Sequence, residues 1–251
     1  MGTGKVSNLN VAHFSMQFSD TRDQVEADAE RIFTRGYDWI TGTEAGDYPV
    51  RIVLKKAARR HGYTFHEYKS NWVAIDKSLI VMGTRRTGHA TIVDGKLTAG
   101  IGNDSNIVWD TFRTSKYGTI TVMASHYPTR GNPDAKMRSR RVNVRWTKKL
   151  AVAIGAKTKQ FGSGPNLVFY GGDQNIVDRI TDTFFGQPLT SVWDELGRWE
   201  NTGHGNIDVI ASYDKDSRVK ALYGRALDDS ELFMHTDHFP VEAGFSVKHL
   251  K

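Results

Sequence analysis

An α+β fold is expected from this sequence: a four-layer α/β/β/α sandwich of two packed mixed β-sheets with helices on the outer faces. Two observations carry the expectation. Helical and strand-like segments alternate in the first half of the chain, whereas strand-like runs cluster in pairs further on. In addition, Leu167-Val168-Phe169-Tyr170 runs without polar alternation into Gly171-Gly172-Asp173-Gln174-Asn175, the pattern of a strand covered on both faces. The 251 residues are 39% hydrophobic and 25% charged, enough apolar material for a sizeable core. No repeat, low-complexity stretch or linker divides them, so one domain over residues 1–251 is expected.

The elements follow in chain order. Leu9 to Phe14 alternates apolar and polar residues and reads as the first strand. Thr21 with Gln24 offers a capping box for a helix whose apolar face is Val25, Ala29, Ile32 and Phe33, with Gly36 as its stop. Tyr37 to Glu44 is a short strand ending at an acid, and Val50 to His61 is an amphipathic helix stopped by Gly62. Trp72 to Ile75, Leu79 to Met82, Ile107 to Phe112 and Thr119 to Ser125 are β-branched or aromatic runs between turn residues. Asn132-Pro133 signals a helix start. The helix after it would carry Val142, Trp146, Leu150 and Ile154 on one face and Arg138, Arg140, Arg141, Arg145, Lys148 and Lys149 on the others. Strands at Ile207 to Ser212 and Val241 to Val247 close the chain, after a loop region with Trp193 and Trp199 that reads as core.

Composition narrows the function. With no cysteine, disulfides, thiolate metal sites and cysteine nucleophiles are excluded. A net charge of +6 favours a polyanionic partner. Met1 to Gln17 has no apolar signal core and no run is long enough to span a bilayer, so a cytoplasmic location without membrane contact is expected.

The polar residues that stand out sit at strand ends: Glu44, His126, Asp173 with Asn175, Asp208, and Asp237-His238. Residues two apart in extended chain point the same way, so Asp173 and Asn175 project together. A carboxylate beside an amide donor suits an oxygen nucleophile and a phosphate oxygen, although Gly, Asp and Asn also make ordinary turns. One acid or histidine at a strand end is usually a cap or a surface group. Four acids, two histidines and an amide together are poorly explained by capping. His13, His61, His66, His89, His204, His235 and His249 have no motif around them and read as surface or core residues, with His204 the nearest to the constellation.

In motif order over nearly the whole chain, the sequence resembles the endonuclease/exonuclease/phosphatase superfamily. That superfamily includes pancreatic-type deoxyribonucleases, abasic-site endonucleases, deadenylases, sphingomyelinases and inositol polyphosphate phosphatases. The resemblance is carried by Glu44 after the second strand, His126 after a central strand, Gly172-Asp173-Gln174-Asn175, Ile207-Asp208-Val209, and Thr236-Asp237-His238-Phe239-Pro240-Val241. Two positions depart from it. Ser15 stands where an asparagine usually ends the first strand, and Thr43 where a glutamine usually precedes the acid. Thr43-Glu44-Ala45-Gly46 also differs from the segment typical of the abasic-site branch.

The resemblance implies a divalent-metal-dependent phosphodiesterase, a nuclease in the first instance, attacking phosphorus in line with an activated water. The alternatives are a phosphatase on inositol phosphates or phospholipid head groups and a non-catalytic nucleic-acid-binding relative. Oxygen-rich ligands suit Mg²⁺ or Mn²⁺, with Glu44 as the most direct metal ligand and Asp237 completing the acidic cluster, either as a ligand itself or behind the ligands. Asp173 would orient or deprotonate the water, Asn175 donate to a phosphate oxygen, and His126 act from the other side of the phosphate. His238 would be base or phosphate-binding imidazolium, with Asp208 fixing its tautomer. Ser15, Arg140, Arg141 and Arg145 are substrate-binding candidates. The implied partner is nucleic acid, DNA ahead of RNA, with no protein partner.

Overall fold

A computed structural model describes residues 5–16, 21–45, 48–93, 96–98, 105–127, 166–175, 190–203, 205, 207–214 and 216–249. Two mixed sheets pack face to face. The first has six strands in the order β12-β13-β1-β2-β4-β3, and the second has seven in the order β10-β11-β9-β8-β7-β5-β6. The first is built from β1 (Val6–Ser15), β2 (Trp39–Thr43), β3 (Tyr63–Tyr68), β4 (Asn71–Asp76), β12 (Val219–Ala226) and β13 (Val241–Lys248). The second is built from β5 (Arg86–Val93), β6 (Lys96–Thr98), β7 (Ser105–Thr114), β8 (Gly118–His126), β9 (Leu167–Asp173), β10 (Thr190–Ser191) and β11 (Asp208–Tyr213). Each sheet is mixed for the same reason: β1 runs parallel to β2 and β8 runs parallel to β9, while their other neighbours are antiparallel.

Strand alternation sorts side chains between layers. On β1, Leu9 and Val11 join Trp39, Phe169 and Phe245 in the core between the sheets, whereas Ala12 and Phe14 face the helices. Trp39 lies 4.6 Å from Phe169, ring centre to ring centre, and Phe169 lies 5.2 Å from Phe245. The outer layer on the six-stranded sheet is α1 (Arg22–Phe33) and α2 (Tyr48–Arg60). The expected capping box is present, with Thr21 accepting from the Gln24 backbone and the Gln24 side chain accepting from Thr21. Val25, Ala29, Ile32 and Phe33 are buried against Val53, Leu54 and Trp72. The basic helix expected after Asn132-Pro133, on which the fourth layer rests, lies outside the described residues.

Two expectations change. Leu79 to Met82 is not a strand: Asp76 caps a 3-10 turn at Lys77–Leu79 by accepting from Ser78 N, and Thr84 folds back onto the Val81 carbonyl. Met82 is almost fully exposed, so its hydrophobicity reflects no packing. Conversely β3, β5, β6, β10 and β12 are present without having been expected. Among the described residues no helix is long and apolar enough to cross a membrane.

Candidate active site

The two parallel pairs set the site. Because β1 and β2 run the same way, Ser15 and Thr43 finish side by side. Because β8 and β9 do, His126 finishes beside Asp173. The antiparallel strands begin where these end: Asp208 opens β11 opposite Asp173, and Val241 opens β13 opposite His13. Topology therefore brings Glu44, His126, Asp173, Asn175, Asp208, Asp237 and His238 to one end of the sandwich.

Glu44 and Asn175, each just beyond a strand end, have positive φ of 55° and 52°. Asparagine tolerates this region. Glutamate does so at a cost of roughly 1–2 kcal/mol. Backbone strain of this kind, held where an acid meets three other polar groups, leads to a clear expectation. Glu44→Gly should relieve about 1 kcal/mol and raise the melting temperature by about 2–4 °C. Calorimetry checks it, and a lower melting temperature would show that the Glu44 contacts outweigh the strain.

One group of side chains is Glu44, His126, Asp173 and Asn175. His126 Nε2 lies 3.3 Å from Glu44 Oε1, 3.5 Å from Asp173 Oδ2 and 2.8 Å from Asn175 Nδ2. Asn175 is tied down: its backbone N donates to Asp173 Oδ1 at 2.7 Å, and its Nδ2 also reaches the Tyr127 carbonyl at 2.9 Å and Asp173 Oδ2 at 3.1 Å. The Tyr127 carbonyl and Asp173 Oδ2 already face the two hydrogens of this amide nitrogen, so a phosphate oxygen would replace one of them rather than add a bond.

The second group is Asp208 and His238. Asp208 Oδ2 holds His238 Nδ1 at 2.7 Å, and His238 Nε2 lies 4.0 Å from Asp237 Oδ1. The backbone of Asp208 is fixed on both sides, its N–H donating to Thr202 Oγ1 at 3.3 Å and its carbonyl accepting from Trp193 Nε1 at 3.2 Å. Trp193 is wholly buried in α3 (Val192–Leu196), as the reading of it as core requires. The loop bearing Asp237 and His238 packs closely on the segment before β11. Gly203, at φ 104°, has no room for a side chain because a Cβ would lie 2.2 Å from the Asp237 carbonyl oxygen.

Electrostatics separates the three buried titrating groups. Burial, helped by the charges of Asp208 and Glu44, pushes the Asp173 carboxyl well above the usual range, against the pull of His238 and the Asn175 backbone. Burial acts to raise Asp208 as well, but hydrogen bonds from His13 and His238 outweigh it and hold that carboxyl below its ordinary value. Burial disfavours a charge on His238, yet the hydrogen bond and charge of Asp208, with Asp173 and Asp237 beyond it, lift the imidazolium to about 9. Asp208 and His238 thus form an ion pair at neutral pH.

Glu44, His126 and Asp173 bring one ligand atom each within 4.8 Å of one another, and so do Asp173, Asp208 and His238. The residues fit a divalent cation: Asp173, shared by both groups, is a buried carboxyl whose ionisation is opposed by two neighbouring acids, and a bound cation supplies the charge that would favour it. Ser15 is buried beside this site. Its hydroxyl accepts from Thr43 Oγ1 at 2.9 Å, and its carbonyl accepts from Thr236 Oγ1 at 2.9 Å, which ties β1 to the loop carrying His238. Arg140, Arg141, Arg145 and His204 lie outside the described residues.

Two residues had no motif to mark them. His13 is buried with Nε2 3.4 Å from Asp208 Oδ1. The available signal was its alternation: it shares the inward face of β1 with Leu9, Val11 and Ser15. His235 is held by the buried Asp28 of α1, whose Oδ2 accepts the His235 backbone N–H at 2.9 Å and whose Oδ1 lies 2.8 Å from the ring Nδ1. Nothing in the sequence around Asp28 points to a partner so far along the chain.

This sandwich, with its polar residues gathered at the ends of the parallel strands, has the fold of endonuclease/exonuclease/phosphatase proteins. No protein-family model matches the sequence, and no curated protein matches it in a sequence search. Solved structures do match. An endonuclease/exonuclease/phosphatase family protein from Bacteroides thetaiotaomicron superposes with a TM-score of 0.72 at 13% identity, over 98% of this chain and 97% of that one. A mannosyl-6-phosphatase from the same organism gives 0.70 at 14% identity, over 94% and 99%. TDP2 from D. rerio, complexed with single strand DNA product, gives 0.64 at 17% identity, over 95% and 99%.

Proposed function

We propose that this protein is a divalent-metal-dependent phosphodiesterase acting on nucleic acid. The observation that carries the reading is the sharing of the buried Asp173 between two facing sets, Glu44 with His126 on one side and the Asp208–His238 ion pair on the other. A phosphodiester between them would meet acids on one flank and a buried imidazolium on the other. Glu44 with Asp237 would hold Mg²⁺ or Mn²⁺, which would supply charge neutralisation at the phosphate and the leaving oxygen. Asp173 orients the attacking water and takes up its proton. His238 acts as a charged donor to a phosphoryl oxygen, the form its raised pKa favours at neutral pH. Asn175 and His126 position the phosphate from the other flank.

Nucleic acid is favoured over small phosphates by the net charge of +6 and, for DNA, by the likeness to TDP2 solved with a single strand DNA product. The rival is a phosphomonoesterase, favoured by the likeness to a mannosyl-6-phosphatase. Incubation with supercoiled plasmid, linear duplex, single-stranded DNA, RNA, an inositol phosphate and mannose 6-phosphate, in Mg²⁺, Mn²⁺ or EDTA, tests both. Hydrolysis of monoesters alone would overturn the nuclease reading, and undiminished turnover in EDTA would overturn the metal.

If the basic segment contacts DNA, neutralising Arg140, Arg141 and Arg145 together should weaken binding and flatten its salt dependence. Each lost phosphate contact lowers the slope of log K against log salt by about 0.7 to 0.9. Fluorescence anisotropy across a salt series measures it, and an unchanged slope would mark these arginines as a solvated face.

A further inference from the structure

We infer that His13 is a positioning residue for the proposed hydrolysis, clamping Asp208 from the side opposite His238 so that a His13–Asp208–His238 relay lies beneath the scissile phosphate. The inference rests on the phosphodiesterase reading for its catalytic consequence, but its geometry stands independently. Asp208 is buried, and its two carboxylate oxygens face two different imidazoles: Oδ2 is 2.7 Å from His238 Nδ1, and Oδ1 is 3.4 Å from His13 Nε2. Asp208 Oδ1 and His13 Nε2 are both buried and, among the described residues, neither makes a hydrogen bond of full geometry; the approach the structure gives them is the 3.4 Å ion-pair contact with each other. Two buried polar atoms held this close must be complementary, and an ionised carboxylate only accepts. His13 therefore presents an N–H at Nε2.

The far side of the ring is fixed as well. His13 Nδ1 lies 3.1 Å from Thr41 Oγ1, and that hydroxyl also reaches the Ala12 carbonyl at 3.3 Å. Whichever of the two the Thr41 proton serves, Nε2 keeps its hydrogen and the ring its orientation. The chain opposite makes room for this pair. A Cβ at Gly171 would lie 1.9 Å from Thr41 Oγ1 and 3.2 Å from His13 Nδ1. The first glycine of Gly171-Gly172 is thus accounted for by the His13–Thr41 pair, and the second by Tyr170, whose hydroxyl would lie 2.2 Å from a Cβ at Gly172. The relay spans both sheets, from β1 and β2 through β11 to the loop before β13. A single carboxylate shared by two imidazoles cannot rotate to follow one of them, and this immobility is what His13 adds.

The test combines ring-nitrogen spectroscopy of the metal-free protein with steady-state kinetics on bis-p-nitrophenyl phosphate in Mn²⁺. His13→Leu keeps the volume and removes the donor, His13→Gln restores an N–H, and Thr41→Val removes the buttress without touching Asp208. The His238 signals are assigned by their loss in His238→Ala. In the parent, the His238 Nδ1 proton should be strongly deshielded and slow to exchange. In His13→Leu it should move upfield and exchange faster, with kcat lower by about 10- to 100-fold and KM within about twofold. His13→Gln should recover most of both, and Thr41→Val should fall between. If His13→Leu does not fold, His13→Gln against Thr41→Val carries the comparison. Unchanged His238 signals and kcat in the variants that fold would overturn the relay. A parent that cleaves no phosphodiester overturns the functional reading instead, while the ring-nitrogen signals still decide whether His13 holds Asp208 for His238.

Discussion

His238→Ala should lower turnover by about 10³-fold or more, the upper part of the range for loss of a positioned proton donor or acceptor. Asp208→Asn should cost about 10²-fold, and the double variant should be little worse than His238→Ala alone. The geometry supplies the reason. Asp208 Oδ2 and His238 Nδ1 are 2.7 Å apart and both buried, so they act as one unit, and losses within a unit do not multiply. An asparagine at this position has one acceptor and one donor facing two ring N–H groups, so it can satisfy either His238 or His13 but not both. On the proposed reading, DNA binding should largely survive, because Asn175, His126 and the arginine candidates still contact the phosphates when the His238 donor is lost. The stability change has a definite sign with pH. The His238 pKa is raised in the folded protein from 6.5 to about 9, so its contribution is fully present below about pH 6.5 and is lost as pH rises through about 9. His238→Ala should accordingly destabilise the protein more at pH 6 than at pH 10. Independent, multiplying losses in the double variant would show that the pair does not work as a unit.

Much of this arrangement is legible in the sequence, for a physical reason. The residues that end strands in this fold end them abruptly, with an apolar run giving way to Glu44, to His126 or to Gly171-Gly172-Asp173, so position along the chain marks position in space. The capping box at Thr21 and Gln24 is equally local, and it is realised as read. What escaped reading is what depends on pairing across the sandwich. β12 alternates weakly, and it is a strand because β13 offers it an edge. Leu79 to Met82 has strand-like residues, but Asp76 turns the chain before it can pair. His13 looked like any histidine in an alternating strand, since the carboxylate that gives it a role lies far along the chain in β11. Asp28 and His235 are separated further still. Short-range chemistry shows in sequence, whereas a polar contact between distant strands shows only once register is fixed.

On the proposed reading, Glu44→Gln should lower activity by about 10²-fold or more, since its carboxylate would hold the cation whose stabilisation of phosphoryl charge is worth several kcal/mol, and each 1.4 kcal/mol is a factor of about ten. Excess Mn²⁺ should restore part of it. The substitution keeps the shape of the side chain and its place 3.3 Å from His126 Nε2, so the loss reports on charge rather than packing. Without metal the same change should not weaken the fold, because the Glu44 charge is one of those that oppose ionisation of Asp173. The two expectations separate a metal site from a structural cluster. In the parent, Mg²⁺ or Mn²⁺ should raise the melting temperature with concentration, as any ligand of the native state does, and in Glu44→Gln the same rise should need more metal. Calcium should stabilise the parent too but support less turnover, because its coordination is looser. If neither ion shifts the melting temperature of the parent and EDTA leaves hydrolysis intact, then Glu44, His126 and Asp173 are held together by hydrogen bonds alone. The chemistry would in that case have to come from Asp173 and the Asp208–His238 pair without a cation.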